Sequence, residues 1–355
     1  MITVTLFNIM VVLISYLSKW YRSDLFLKIA FFLIFLFIGL RFDYGNDYMA
    51  YVDSFYKINE YSSIDYLNGE YQWEVGWILL CRVFGPLGFF MMIAFLAAFN
   101  CIVYFRFIKK YVPYQYWWLG VFLYVFSPYI MLLHLTIMRQ SIAIAIFVYS
   151  LDFLCKRNAV GYFVCIAIAV LFHSSALILF FVYFFIGIDW DIKRKASVVI
   201  FLVFLVMIVF NNFFMSYINQ YAIINLPKYF VYLDRVGDVD TGLGVVYNSI
   251  VFAIILFYLP LQSPEKLILF KVGVIGYFII PFGMLILMIS RIGIYFQPSL
   301  IAIIPIILSS ADGRSAKKMI FLSYVLFVLY TYYGFFQSEI YGEPYANYKT
   351  IFLSL

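Results

Sequence analysis

Charge is what this sequence has least of. Asp, Glu, Lys and Arg make up 12% of its 355 residues, about half the roughly 25% of a soluble domain. So few charges cannot cover a water-facing surface of this size, which excludes a soluble globular enzyme. The net charge of +6 comes from short basic clusters scattered between apolar runs, not from a stripe or patch, so nucleic acid is not an expected partner. Cysteine is scarce as well: Cys81, Cys101, Cys155 and Cys165 lie in or beside apolar segments without metal-ligand spacing and read as buried free thiols. Short segments of alternating hydrophobicity, as a lipid-facing barrel needs, are absent. So are a P-loop, a nucleophile elbow, a zinc motif, a fixed-period repeat and a low-complexity linker. The first apolar stretch has neither a basic leader nor a small-residue cleavage site and reads as a retained span.

What fills the chain instead is apolar, with 66% hydrophobic and 23% aromatic residues. Their solvent is lipid. A membrane span takes about 20 apolar residues, and the runs predict an all-α, polytopic transmembrane helical bundle of about twelve spans. The whole of residues 1–355 reads as a single integral membrane domain. The spans are expected near 2–18, 25–40, 85–105, 114–133, 137–155, 159–173, 174–188, 196–216, 245–261, 268–288, 293–309 and 319–336. Two of them, 159–173 and 174–188, are short enough to form a broken pair whose tip stops inside the membrane. Lys and Arg concentrate in the connections 19–28, 106–113, 156–158, 189–195, 262–271 and 312–318, and acids concentrate on the other side. The positive side faces the cytoplasm, which turns both termini outward. Three polar regions then remain outside: 41–73, 217–244 and the tail 337–355, which keeps enough aromatics to lie on the interface. Residues 74–84 read as a short helix stopped by Gly85-Pro86.

Ionisable residues at span ends are costly in lipid, so they tend to face a cavity and to be paired or functional. Arg41 stands at the end of the second span, and a helical register beyond it puts Asp43, Asp47 and Tyr51 on one face. With Tyr48, these residues read either as an interfacial anchor or as a platform for a sugar and a diphosphate. Glu74 opens the short helix; it suits the helix dipole and equally suits a general base beside aromatic residues. Arg139 and Gln140 start the fifth span with no acid near them in sequence. Because Arg binds phosphate oxygens bidentately, Arg139 reads as a diphosphate ligand. His173 divides the two short segments and reads either as a satisfied core residue or as a base or donor to diphosphate. Arg291 and Tyr295 are i, i+4 partners at the outward start of the eleventh span. Arg235 sits among Asp234, Asp238 and Asp240 and is more easily read as part of a solvated turn. In a low-dielectric layer, outward arginines (Arg41, Arg139, Arg235, Arg291) suit a diphosphate and would stabilise its departure. No acid cluster resembles a Mg²⁺ cage, Asp43 and Asp47 coming nearest, and neither a metal nor a cofactor is expected.

Taken in chain order, these motifs resemble the EpsG-like branch of bacterial polysaccharide polymerases, the Wzy-type O-antigen and exopolysaccharide polymerases. The residues that carry the resemblance are Arg41 with Asp47-Tyr48 and Tyr51, Glu74-Val75-Gly76, Arg139-Gln140, His173-Ser174-Ser175, Arg291 with Tyr295-Phe296, and Pro344-Tyr345. The resemblance implies a multispanning, metal-independent glycosyltransferase at the outer face of the bacterial inner membrane. It would transfer a growing glycan from undecaprenyl diphosphate onto a lipid-linked repeat unit, with a chain-length regulator as a further partner. By the same resemblance Arg139 and Arg291 hold the diphosphate, Arg41, Asp47 and Tyr51 shape the sugar site, and Glu74 or His173 deprotonates the acceptor. Two other readings compete. A lipid-linked oligosaccharide flippase suits the span count, although transporters place polar sites near the midplane. A membrane acyltransferase acting on the same glycan would also use a His near the surface.

Overall fold

Long runs without charge have one way to satisfy every backbone N–H and C=O in lipid, which is to coil. The computed structural model describes residues 1–60, 73–187, 194–210, 213, 243–285 and 287–353. Its helices are α1 (Ile2–Tyr21), α2 (Leu25–Gly39), α3 (Tyr48–Glu60), α4 (Val75–Phe84), α5 (Phe89–Tyr111), α6 (Trp117–Phe126), α7 (Leu132–Thr136), α8 (Met138–Cys155) and α9 (Ala159–Phe172). They continue as α10 (Leu179–Gly187), α11 (Arg194–Val209), α12 (Leu243–Tyr258), α13 (Pro264–Leu285), α14 (Leu287–Gly293), α15 (Leu300–Ser310) and α16 (Arg314–Gln337). Among the described residues the strands are β1 (Arg41–Phe42) and β2 (Lys349–Thr350), paired antiparallel with Arg41 opposite Thr350. The chain is an all-α membrane protein.

The described residues do not support the expected count of twelve full spans. Among the described residues, six helical stretches are long and apolar enough to cross a bilayer: Ile2–Tyr21, Phe89–Tyr111, Met138–Cys155, Gly244–Leu261, Ile289–Ser310 and Arg314–Gln337. Several of the other apolar runs are cut short by local chemistry. The run 114–133 breaks at Ser127-Pro128 into α6 and the five-residue α7, because Pro cannot continue the ladder. The run through 159–188 breaks at His173, whose extended backbone (φ −156°, ψ 118°) ends α9 before a 3₁₀ turn over Ser174–Ile178. α2 has 15 residues, about 22 Å of helix against a hydrocarbon core of about 30 Å.

The chain divides into two compact units, Met1–Phe180 with Val328–Leu355, and Phe181–Phe327. In the first, α1 packs on α2 and α6, α2 on α5, α5 on α8, and α8 on α9, while α4 lies between α3 and α9. α8 is enclosed along most of its length. Its buried Ser141, Ala143, Ala145 and Ser150 let neighbouring backbones approach closely, the means by which helices pack in lipid. One end of this unit gathers the basic connections: Lys109 lies 2.5 Å from Asp24, and Lys110 2.7 Å from Asp152. At the other end the Met1 amino group donates to the Ala346 carbonyl at 2.7 Å, so residues from both ends of the chain meet there.

The tail does more than rest on an interface. Tyr345 is fully buried, with its hydroxyl 2.5 Å from Thr136 Oγ1 and donating to the Leu132 carbonyl at 2.8 Å. The Tyr348 hydroxyl donates to the Phe37 carbonyl at 2.7 Å. In the second unit, α11, α12 and α13 pack around Phe204, Phe252 and Tyr277, whose rings follow one another at 4.7 and 5.6 Å. There Lys271, buried on α13, donates to the Ile186 carbonyl at 3.1 Å.

Candidate functional site

Glu74 is the N-cap residue of α4, with an extended backbone (φ −66°, ψ 145°), yet its side chain makes no capping hydrogen bond. The carboxylate turns away from its own helix. One oxygen, Oε2, accepts from Arg139 Nη1. The other, Oε1, lies 3.3 Å from His173 Nδ1 and accepts from the Ser174 amide at 3.4 Å. Three segments far apart in sequence thus meet on one side chain: the start of α4, the start of α8 and the break after α9.

Gly76 makes this approach possible. A Cβ there would lie 2.7 Å from the Leu171 carbonyl oxygen and 2.9 Å from its carbon, closer than any side chain tolerates. Only glycine lets the first turn of α4 touch the backbone at the end of α9. Glu74, two residues earlier, is thereby delivered to His173.

Arg139 is held on several sides. Its guanidinium lies over the Trp73 ring at 4.6 Å, where the ring quadrupole favours a cation, and the Tyr51 hydroxyl lies within range of its charge. Tyr51 is buried edge-on against Trp77, ring centroids 5.1 Å apart. The Arg139 Nε is buried without a hydrogen-bond partner. The side chains of Glu74, His173 and Arg139 are 17%, 21% and 24% exposed, so the bridge is shielded but reachable. Burial alone would raise the Glu74 pKa; His173 and Arg139 outweigh it and bring the carboxyl down to about 2. His173 Nδ1 is near enough to favour the ionised carboxylate but is not aligned for a hydrogen bond, and Nε2 has no bonding partner among the described residues. An imidazole so placed has one nitrogen against a carboxylate and the other free for a hydroxyl.

The 41–51 segment is organised differently from a helix on from Arg41. Arg41 begins β1 and is 4% exposed; its guanidinium donates to the Ile38 carbonyl at 2.9 Å and the Leu135 carbonyl at 3.5 Å and faces the Tyr48 ring at 5.8 Å. It borders a cavity of about 20 Å³ shared with Asn100, His134 and Ser141, room for about one water. Asp43 has a positive φ (44°) and lies 3.4 Å from Lys349, and Gly45 has φ 111°. Helix α3 therefore starts only at Tyr48, and the expected common face of Asp43, Asp47 and Tyr51 does not form. The reason is local: a Cβ at Gly45 would meet Thr136 Oγ1 at 3.0 Å and the Tyr345 hydroxyl at 3.2 Å, so the chain turns here against α7 and the tail. Asp47 stays exposed with its carbonyl accepting from the Tyr51 amide at 2.9 Å, and the Tyr48 hydroxyl donates to the Arg41 carbonyl at 3.2 Å.

The remaining residues singled out from the sequence lie elsewhere. Gln140 is buried on α8 beside Arg139. Arg291 and Tyr295 belong to the second unit. The helical i, i+4 relation expected for them is interrupted, because α14 ends at Gly293 and a turn follows, leaving Arg291 exposed and Tyr295 buried. Arg235 lies outside the described residues, as do most of 217–244 and residues 61–72 of the first loop. No group of three or more His, Cys, Asp or Glu suited to a metal occurs among the described residues. Trp73, Ser174, Thr136 and Tyr345 contribute contacts that no residue-by-residue reading assigned. Ser174 and Tyr345 stood among the motif residues without an assigned contact, and Trp73 had a signal of its own, an aromatic next to an acid at a helix start.

A family model described as the EpsG family matches residues 24–350. No curated protein and no solved structure matches the chain.

Proposed function

The chain belongs to the EpsG family, a Wzy-like polymerase family, and on that premise we propose that it is a glycosyltransferase that lengthens a surface polysaccharide at the outer face of a bacterial inner membrane. Its donor is a growing glycan on undecaprenyl diphosphate and its acceptor a lipid-linked repeat unit, with a chain-length regulator as a partner. The observation that carries this reading is the Glu74 carboxylate shared between Arg139 and His173. An acceptor hydroxyl attacks the anomeric carbon, the bond from that carbon to the diphosphate oxygen breaks, and the hydroxyl proton passes to His173 Nε2. Arg139 takes up the charge that develops on the departing diphosphate. Glu74, with a pKa of about 2, is a poor proton acceptor near neutrality; it orients His173 and compensates Arg139 until the diphosphate arrives. Asp47 and Tyr51 shape the sugar end, and Arg41 with Tyr48 holds the loop that carries them.

The test is gel analysis of surface glycan from a knockout complemented with single variants. Arg139→Lys keeps the charge and loses the planar fork, and His173→Gln removes the proton acceptor. Both are expected to abolish long polymer while inserting normally, as judged by a fluorescent C-terminal fusion. Single repeat units should then accumulate on the outer leaflet. Full-length polymer from both variants would overturn the assignment, and repeat units trapped on the inner leaflet would point to a flippase. Arg291→Lys, run alongside, tests the role the family resemblance gives that residue.

A further inference from the structure

Away from the Glu74 bridge, the seam between α2 and α5 leaves an apolar groove of about 230 Å³, lined by Phe31, Phe32, Phe35, Ala98, Ile102 and Phe105. The two helices run antiparallel there. Gly39 lies against Ala94 and Ala97 at one end, and Asp24 meets Lys109 at the other. The groove follows the helix axes for about 10 Å, from Phe35 and Ala98 to Lys28 and Phe105.

Its two ends differ in chemistry. One is closed by aromatic and small side chains. At the other, Lys28 lines the groove itself, and Lys109 stands a turn beyond, 5.9 Å from the Phe105 ring. Asp24 lies 3.1 Å from Lys28 and 2.5 Å from Lys109. One carboxylate between two ammonium groups leaves a positive charge over, and both lysine side chains are about half exposed, 58% and 46%. Phe32 and Ile102, on the rim, are exposed as well. A narrow apolar channel with a cationic mouth matches an amphiphile with an anionic head and a single acyl chain in the groove. Basic pockets between spans are where anionic headgroups settle.

We propose that the α2–α5 groove binds one anionic phospholipid, its acyl chain along Phe31, Phe32 and Phe35 and its phosphate on Lys28 and Lys109. A zwitterionic lipid would bring its own ammonium group against these lysines. The polyprenyl diphosphate is the wrong occupant, because the basic mouth lies at the opposite end of this unit from Glu74 and Arg139. The site is independent of the proposed reaction. Its physical setting is the shortness of α2: a phosphate drawn down to Lys28 thins the bilayer where the helix falls short of it.

The experiment is native mass spectrometry of the full chain in detergent, titrated with phosphatidylglycerol or phosphatidylcholine of the same acyl chains. The wild type is expected to retain one phosphatidylglycerol with about fivefold preference over phosphatidylcholine. Lys28→Gln with Lys109→Gln should erase the preference without loss of helix content by circular dichroism. Ala98→Phe, which fills the groove, should remove the retained lipid of either kind. Equal retention of the two lipids by the wild type would overturn the proposal, as would a preference that survives in the double lysine variant. Displacement of the bound lipid by an equal concentration of undecaprenyl diphosphate would overturn it too, since the groove would then be a substrate channel.

Discussion

A carboxylate that compensates two cationic or potentially cationic neighbours leaves its mark in acid. The Glu74 pKa is about 2 in the folded protein against 4.5 for a free side chain. A lowered carboxylate contributes stability that is fully present above the unfolded value and is lost as pH falls through the folded one. The wild type should therefore exceed Glu74→Gln in melting temperature at all pH above about 4.5, and the gap should close as pH falls toward about 2. Scanning fluorimetry in detergent reads this directly; a gap independent of pH would mean that the charge is not what Glu74 supplies. This scale is also where the sequence was least legible. Arg139 has no acid nearby in the chain, and its partner Glu74 stands 65 residues away. Nothing in residue type or spacing discloses such a pair, because packing alone brings α4 and α8 together. Arg41 makes the same point in reverse. Its position at a span end looks like a ligand's, but two of its N–H groups go to the carbonyls of Ile38 and Leu135, which fix it inside the fold.

Between helices, what decides the site is how near two backbones come. Gly76 touches the end of α9 with no room for a methyl group, so Gly76→Ala must push α4 outward by a fraction of an ångström or more. Stability should fall by about 1–3 kcal/mol, and on the proposed function polymer output should fall much further, about 100-fold, because Glu74, His173 and Arg139 are displaced from one another. Wild-type output from a correctly inserted Gly76→Ala protein would show that the contact is incidental. The boundaries of α4 were readable, Glu74 before it and Gly85-Pro86 after it, because caps and breakers act through their immediate neighbours. The break at His173 was readable as well, since it divides two short runs, whereas the one at Ser127-Pro128 was hidden inside the run 114–133. Hydropathy counts residues; it does not register where the ladder stops.

At the scale of the molecule, membrane residence and the EpsG family were evident from composition and motif order, whereas the number of spans was not. Among the described residues six stretches, not twelve, are long and apolar enough to cross. The proximity of the two chain ends is a sturdier feature, because the Met1 amino group contacts Ala346. Reporter fusions at the N- and C-termini should accordingly fall in one compartment, outside the cytoplasm if the lysine distribution sets orientation; fusions that report opposite sides would contradict the contact. The tail should also prove structural. Tyr345→Phe removes the hydroxyl shared with Thr136 and Leu132 and is expected to cost about 1–3 kcal/mol, read as a lower melting temperature with the pH dependence of the Glu74 gap unchanged.

The pairing of Arg41 with Thr350 has a consequence for biosynthesis. The segment 41–51 leaves the ribosome before every helix that separates it from its antiparallel mate, so the turn at Gly45 has no Tyr345 to close upon until those helices have been made. A chain interrupted before its tail therefore carries an unmated strand at Arg41, whose open backbone groups are left to find other partners.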